Sequence, residues 1–406
     1  MQLTLRSQVN KFNHLFQQEL WPLVEGELGK LGEPAKRVVQ VLAMIPLRRF
    51  VPVASGWNGR PAQDRYAIAC AFVAKAVYNF GTTRQLLDRL QSDPQLRSIC
   101  GWKCRQDVPH ESTFSRAFAE FAVMELPQFV HEALIADTQR ERLIGHISRD
   151  STAILARERF PEPKASRSSS TSKKSAGGHG QKKDKPARRK GKPIGPAPRC
   201  KRTGRKGSRK RKAKGAAQTR LELQASGQQV NLRQLPASCN IGVKKSSQGA
   251  TQYWRGYKLH LDVADGQIPI TTLVTSANLH DSQAAIPMML ESSRRVTYLY
   301  DLMDSAYDAE AIRQSSERLN HVPIIDWKTR SGSKTQLSCR KTEQPELSPA
   351  ERIRFRERTS VERVFARLKD EFGARHVRVR GAAKVAAHLL FGVLALTADQ
   401  ILRLTG

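Results

Sequence analysis

The feature that most restricts this chain is a long stretch that cannot belong to any core. Between Pro161 and Arg220 it carries 22 lysines and arginines against two acids, a net +20, and from 161 to 215 it has almost no Ile, Leu, Val or Phe. Such a segment buries too little apolar surface to offset the entropy of ordering, so it reads as disordered. What folds must come from the residues before and after it. The whole chain has 406 residues and a formal charge of +32, which leaves +12 outside that stretch. An excess of this size predicts a polyanionic partner, with nucleic acid ahead of an anionic membrane. The basic stretch would then attract phosphates without regard to sequence, the alternative being a solvated spacer.

The opening residues, MQLTLRSQVNKF, contain no apolar run that would serve as a signal peptide. The longest apolar run, AAHLLFGVLALTA at 386–398, is too short for a bilayer and reads as a buried helix. These features predict an intracellular protein with no membrane partner. Six scattered cysteines do not suggest a disulfide framework there. Cys100 and Cys104 are spaced CxxxC near His110 but lack a second ligand pair, so they read as small core residues rather than a zinc site.

Residues 1–142 read as an all-α domain. VNKFNHLFQQELWPLV has apolar residues at a period near the helical one, and DRYAIACAFVAKAVYNF is a mostly apolar helix stopped at Gly81, with a shorter helix after it. In VPHESTFSRAFAEFAVM, Pro109 breaks the chain, Ser112 or Thr113 is placed to cap a new helix, and Phe114, Phe118 and Phe121 form a core stripe. A helix-turn-helix-like DNA reader and an ordinary packing domain fit this pattern equally.

Residues 143–160 plus 240–406 change to an α/β pattern around the basic insertion of 161–239. LIGHISRDSTAILA is a strand, and YWRGYKLHLDVADGQIPITTLVTSAN is two strands joined at an Asp-Gly turn. A helix limited or kinked by Pro287 follows, then a strand RVTYLYDLMDS, a helix, a short strand VPIID, a polar connection and a last amphipathic helix. This order describes a mixed sheet flanked by helices.

Three acids stand out. Asp150 lies inside an apolar strand, where an unpaired carboxylate is costly unless it binds something; an edge position, or an ion pair with Arg149 or Arg157, is the alternative. Alternation puts Asp304 on the face of Val296, Tyr298, Tyr300 and Leu302 and sends Asp301 to the other face. Asp304 then sits at the carboxyl end of its strand, where open α/β sheets place ligands, while Asp308 reads as a helix cap. The third is Glu362 in FRERTSVERVFARLKDEFG. Taken as one helix turning about 100° per residue from Phe355, this stretch puts Arg358 at about 300°, Glu362 at about 340° and Lys369 at about 320°. Val361, Val364, Phe365, Leu368 and Phe372 form the buried face, and Arg356, Arg363 and Arg367 point elsewhere. Geometry alone leaves Glu362 open between a functional carboxylate and a surface pair with Arg358.

The motifs DRYAIACAFVAKAVYNFGTTRQLLDRL, VPHESTFSRAF, ISRDSTAI, YWRGYKLHL, ANLHDS, DSAYD and RTSVERVFARLK together resemble bacterial insertion-sequence transposases of the DDE class, over nearly everything except the insertion. The resemblance implies a ribonuclease H-like catalytic domain whose three carboxylates are Asp150, Asp304 and Glu362, holding two Mg²⁺, with Mn²⁺ as a substitute. The family's signature is a tyrosine, an arginine three residues later, a glutamate four after that and a lysine seven further on. Phe355, Arg358, Glu362 and Lys369 stand at those places; Phe355 can stack on a base but cannot hydrogen-bond a phosphate. Arg358 and Lys369 are implied to hold the DNA backbone. His280 and Asp281 also match, with Asp281 read as a cap and His280 as structural, the alternative being a direct metal role. Trp254 and Tyr257 read as core rather than as DNA-stacking residues. The implied activity is hydrolysis at the element's ends and transfer of the 3′-hydroxyl to target double-stranded DNA. A homodimer in the bacterial cytoplasm, at the nucleoid, is the implied setting. An inactive DNA-binding descendant and a nuclease without strand transfer are the rival readings.

Overall fold

The computed structural model describes residues 21–51, 63–158, 220–228, 231–245, 250–326 and 347–405. The basic stretch to 219, the polar connection at 327–346 and most of the helix expected near 9–24 lie outside those residues. Among the described residues seven helices precede the first strand: α1 (Trp21–Leu28), α2 (Glu33–Met44), α3 (Arg65–Val77), α4 (Thr83–Ser92), α5 (Pro94–Cys100), α6 (Glu111–Val123) and α7 (Leu126–Gln139). Local chemistry sets their ends. Asp64 caps α3 by accepting from the Tyr66 N–H, and Asn79, with φ 55°, turns the chain away after its last turn. Thr82 and Gln85 make a reciprocal capping box on α4. On α6 the cap is His110, whose Nδ1 accepts from the Ser112 N–H at 3.2 Å, two residues before the first of the hydroxyls expected to do it. Phe114, Phe118 and Phe121 are buried as their stripe predicts, against Phe72. Cys100 is a core residue, but Cys104 is exposed and donates to Asp107.

The sheet is built on β1 (Leu143–Leu155). Its neighbours are β3 (Thr251–Ala264), antiparallel, and β5 (Thr297–Met303), parallel; β6 (Val322–Ile325) continues the parallel side. β2 (Asn240–Lys245), a strand the sequence reading did not identify, pairs with the start of β3, and β4 (Ile268–Ser276) pairs with the rest of it. The β3–β4 turn falls at the Asp-Gly as expected, with Gly266 and Gln267 both at positive φ. Gly256 lets β1 and β3 meet: a Cβ there would stand 1.9 Å from the Ile154 carbonyl oxygen. Tyr257 is core, and Trp254 lies over Gly242.

Helices α8 (Ser282–Arg295) and α9 (Glu310–Arg318) follow β4 and β5, and α10 (Pro349–Arg356), α11 (Thr359–Glu371) and α12 (Ala382–Thr405) end the chain. Pro287 does not limit α8. Proline has no N–H to give the carbonyl four residues back, which is that of Gln283, and the side-chain amide of buried Gln224 donates to that oxygen at 3.0 Å instead. Residues 220–228, read from sequence as part of the insertion, thus pack on α8. α12 contains the apolar run and is long enough to cross a membrane, yet 83% of its most apolar window is buried in protein. It packs on α2, α3, α6, α7, α11 and β4, so the early helices and the sheet share one continuous core.

Candidate active site

Alternation along β1 sorts its polar residues onto two faces. On one, the fully buried Arg149 makes paired 2.7 Å bonds to Asp262 of β3, directly across the ladder, and a 3.2 Å bond to Asp301 of β5. Ser292 donates to Asp262, and Ser316 and Tyr298 donate to Asp301. The guanidinium, His321 and Ser316 outweigh burial and keep the Asp301 carboxyl below its ordinary range. Asp301 therefore faces away from Asp304, as the alternation required.

The other face of β1 presents Ser148, Asp150 and Thr152, and α11 is fastened along it. Ser360 donates to Ser148 at 3.1 Å, Arg358 Nη1 lies 3.6 Å from Asp150, and Lys369 Nζ donates to Thr152 at 2.5 Å. Arg358 Nη2 also binds Glu362 at 2.8 Å, so one guanidinium bridges two of the expected carboxylates. Val361, Val364, Phe365 and Leu368 are buried beneath, as their stripe predicted. Phe355 differs. It belongs to α10, because the helical path breaks at Glu357 and Arg358: the Ser148 hydroxyl donates to the Glu357 carbonyl, and Ser360 N bonds that oxygen in a tighter, three-residue step. A single helical wheel through 355–373 is thus wrong for Phe355 and right for Arg358, Glu362 and Lys369.

Strand register brings in Asp304. The β1–β5 pairing ends at Arg149 with Met303, so the next residue of each chain is Asp150 and Asp304. Asp304 accepts from the Ala306 N–H at 2.9 Å and caps a short turn, whereas α9 is capped by Ala309, and Asp308, expected to be the cap, pairs with Arg313. Burial pushes the Asp150 carboxyl up to about 7; the Asp304 and Asp281 charges push the same way, against the Ser151 N–H and Arg358. Burial likewise raises Asp304, helped by Asp281 and Asp326 and opposed by the Ala306 N–H and Arg358. Two neighbouring carboxylates with too little positive charge between them are what an added cation relieves.

Sequence reasoning misassigned Asp281 and did not pick out Ser151, Lys258 or Tyr307. Asp281 makes no cap bond; its carboxylate accepts from Ser151 Oγ at 2.7 Å and Lys258 Nζ at 2.9 Å, and His280 instead accepts from the Ser282 N–H. Burial alone would raise Asp281, but His260, Lys258 and Ser151 hold it below its ordinary range. Tyr307, whose hydroxyl is buried without a hydrogen-bond partner, sits in the field of Asp281, Asp150 and Asp304. The alternation of YKLHLD, which puts Lys258, His260 and Asp262 on one face, was the available signal for part of this.

Among the described residues no three metal-binding side chains already stand at coordinating distance, since Glu362 is half-exposed and held by Arg358. The donor set is nonetheless all oxygen, and the Asp150 and Asp304 carboxylates are short of cations. Those traits fit a hard, hydrated divalent ion.

Two family descriptions match the chain: Transposase DDE domain over residues 227–398, and Transposase domain (DUF772) over residues 27–120. No curated protein and no solved structure matches. The chain belongs to the insertion-sequence transposases of the DDE class, and its mixed open sheet flanked by helices, with a helical region before it, is consistent with that class's ribonuclease H-like domain. Transposition chemistry on DNA with divalent metal ions is the activity this family implies.

Proposed function

We propose that this transposase hydrolyses the phosphodiester at its element's ends with Mg²⁺, or Mn²⁺ in its place, and passes the freed 3′-hydroxyl to target double-stranded DNA. Asp150, Asp304 and Glu362 would hold the metal ions, which when bound polarise the phosphate and activate the attacking oxygen. The observation that supports this is the seating of α11 on β1, where Arg358 pairs with both Asp150 and Glu362, and Asp304 directly follows the last β1–β5 register pair as Asp150 does. Asp150 lies in β1 and Asp304 directly after the end of β5, and they offer carboxylates whose crowding favours cation uptake. Glu362 swings from Arg358 to complete the set, which frees that guanidinium for a DNA phosphate. Lys369 stands beside Thr152 as a second backbone contact, and Phe355, on its own helix, is left a stacking role. In the first step water bonds to phosphorus, the P–O3′ bond breaks and the 3′ oxygen leaves as a hydroxyl. In the second that hydroxyl's oxygen bonds to a target phosphorus, the target's own P–O3′ bond breaks, and its 3′ oxygen leaves as a hydroxyl with the proton the attacker gives up, with no covalent protein intermediate. A homodimer bridging two element ends, in the bacterial cytoplasm, suits such a reaction.

The test combines purified protein, Mg²⁺ and linear DNA bearing the element's flanking ends. Joined products are expected; cutting without joining would favour a plain nuclease, and no reaction an inactive DNA-binding descendant. Glu362→Gln should bind DNA as the parent does and lose metal-dependent cleavage, and unchanged cleavage by that variant would sink the assignment.

A further inference from the structure

We infer that a second DNA-contact site lies beyond the carboxylates, in a groove where the N-termini of α4, α6 and α12 meet the end of β1. The groove has a volume of about 450 Å³, and its walls include Arg157, Arg378, Arg380 and Lys384. Its acid, Glu111, stands 3.6 Å from Arg84. Among the described residues no carboxylate forms an ion pair with any of the four groove cations. Some surface arginines elsewhere are paired, as Arg49 is with Asp137, Arg89 with Asp93, Arg294 with Glu291 and Arg375 with Asp370. Thr83, Glu111 and Lys384 fall in the first turns of three helices, whose N-terminal dipoles add positive potential. A concave surface with uncompensated cations and this field selects a polyanion.

The groove also continues a line of cations that begins at the acids. Arg358 stands over Asp150, Lys369 over Thr152, and Arg157 follows two residues after β1 ends. Arg157 is seven residues beyond Asp150, roughly 23 Å at about 3.3 Å per strand residue. That is about seven base pairs of duplex at about 3.4 Å each. The inferred ligand is the phosphate backbone of the DNA flanking the scissile bond, an inference that rests on the transposase reading above.

The experiment uses the full chain and a linear duplex of random sequence, with affinity followed by fluorescence anisotropy from about 50 to about 200 mM salt. Removing three phosphate contacts with Arg378→Ala, Arg380→Ala and Lys384→Ala should lower the slope of log affinity against log salt by about 2.7. The parent would then lose roughly 40-fold more affinity than the triple variant over that fourfold salt range. Arg294→Ala, outside the groove, should leave the slope unchanged. A triple-variant slope equal to that of Arg294→Ala overturns the inference. If the triple variant fails to fold by circular dichroism, Arg378→Ala alone should lower the slope by about 0.9, and an unchanged slope overturns the inference equally. Cleavage of end-bearing DNA separates the two readings: a protein that cuts but keeps its slope loses the groove, and one that never cuts but loses slope keeps the groove and loses the catalytic assignment.

Discussion

Replacing Arg149 with methionine should be among the most damaging single changes to this chain, and the structure sets its size. The guanidinium is fully buried, as are Asp262 and Asp301, and its bonds to them span β3, β1 and β5. Methionine keeps the aliphatic stem but strands two carboxylates without a counter-charge. Removing one partner of a buried ion pair costs about 3–5 kcal/mol, a large part of the roughly 5–15 kcal/mol typical of folded domains. Urea unfolding at neutral pH, read at the midpoint, should show that loss. The deficit should then shrink in acid. Stranded carboxylates have folded pKa values above their unfolded ones, so protonation in the folded state adds stability at low pH that is lost as pH rises through the folded pKa. The triple variant Arg149→Met, Asp262→Leu, Asp301→Leu should recover most of the loss, because apolar residues of similar volume often replace a buried triad without cost. A single variant that loses less than about 1 kcal/mol, or a triple no better than the single, would refute the reasoning.

Two further outcomes are expected. Gln224→Ala leaves the Gln283 carbonyl in α8 without its donor and should cost about 1–3 kcal/mol in thermal unfolding, while adding Pro287→Ala, which restores an N–H, should recover much of it; no recovery would show that Gln224 acts by packing alone. His131, buried between α7 and Thr397 of α12, has its pKa lowered to about 3 by burial and the nearby Arg295. Below pH 6.5 the unfolded chain takes up a proton that the folded chain refuses, so stability falls as pH drops. Between pH 7 and 5 this histidine accounts for about 2 kcal/mol, and His131→Gln should flatten the profile by that amount; an unchanged slope would place the proton uptake elsewhere.

How much of the site was legible depended on whether its signal was periodic. Asp150 and Asp304 share a face because strand side chains alternate, and that alternation also sent Asp301 to the opposite side. Glu362 could be paired with Arg358 because four residues make about one helical turn. Phe355 could not be placed, because the helical path breaks at Glu357 and Arg358, where the Glu357 carbonyl accepts from Ser148, a residue more than two hundred positions earlier. Asp281 read as a helix cap because local sequence always offers that partner. It was diverted by Lys258 and Ser151, which only folding brings within reach.

The sequence by itself determined most of the elements and their order, though not β2 or the division of 355–373 between α10 and α11, together with the candidate acids Asp150 and Asp304 and the cationic stripe beside Glu362, since these follow from side-chain period and local turn chemistry. It also placed the apolar run in a buried helix. Only the tertiary structure decided which strand lies beside which, and so that Asp304 follows Asp150 across the β1–β5 register. Tertiary packing likewise gave Arg149 to Asp262 and Asp301, supplied Gln224 to the proline-broken ladder of α8, and merged the early helices with the sheet through α12. The physical reason is common to all of these. A buried charge or an orphaned carbonyl demands a partner, and sequence states the demand without saying which distant residue will meet it.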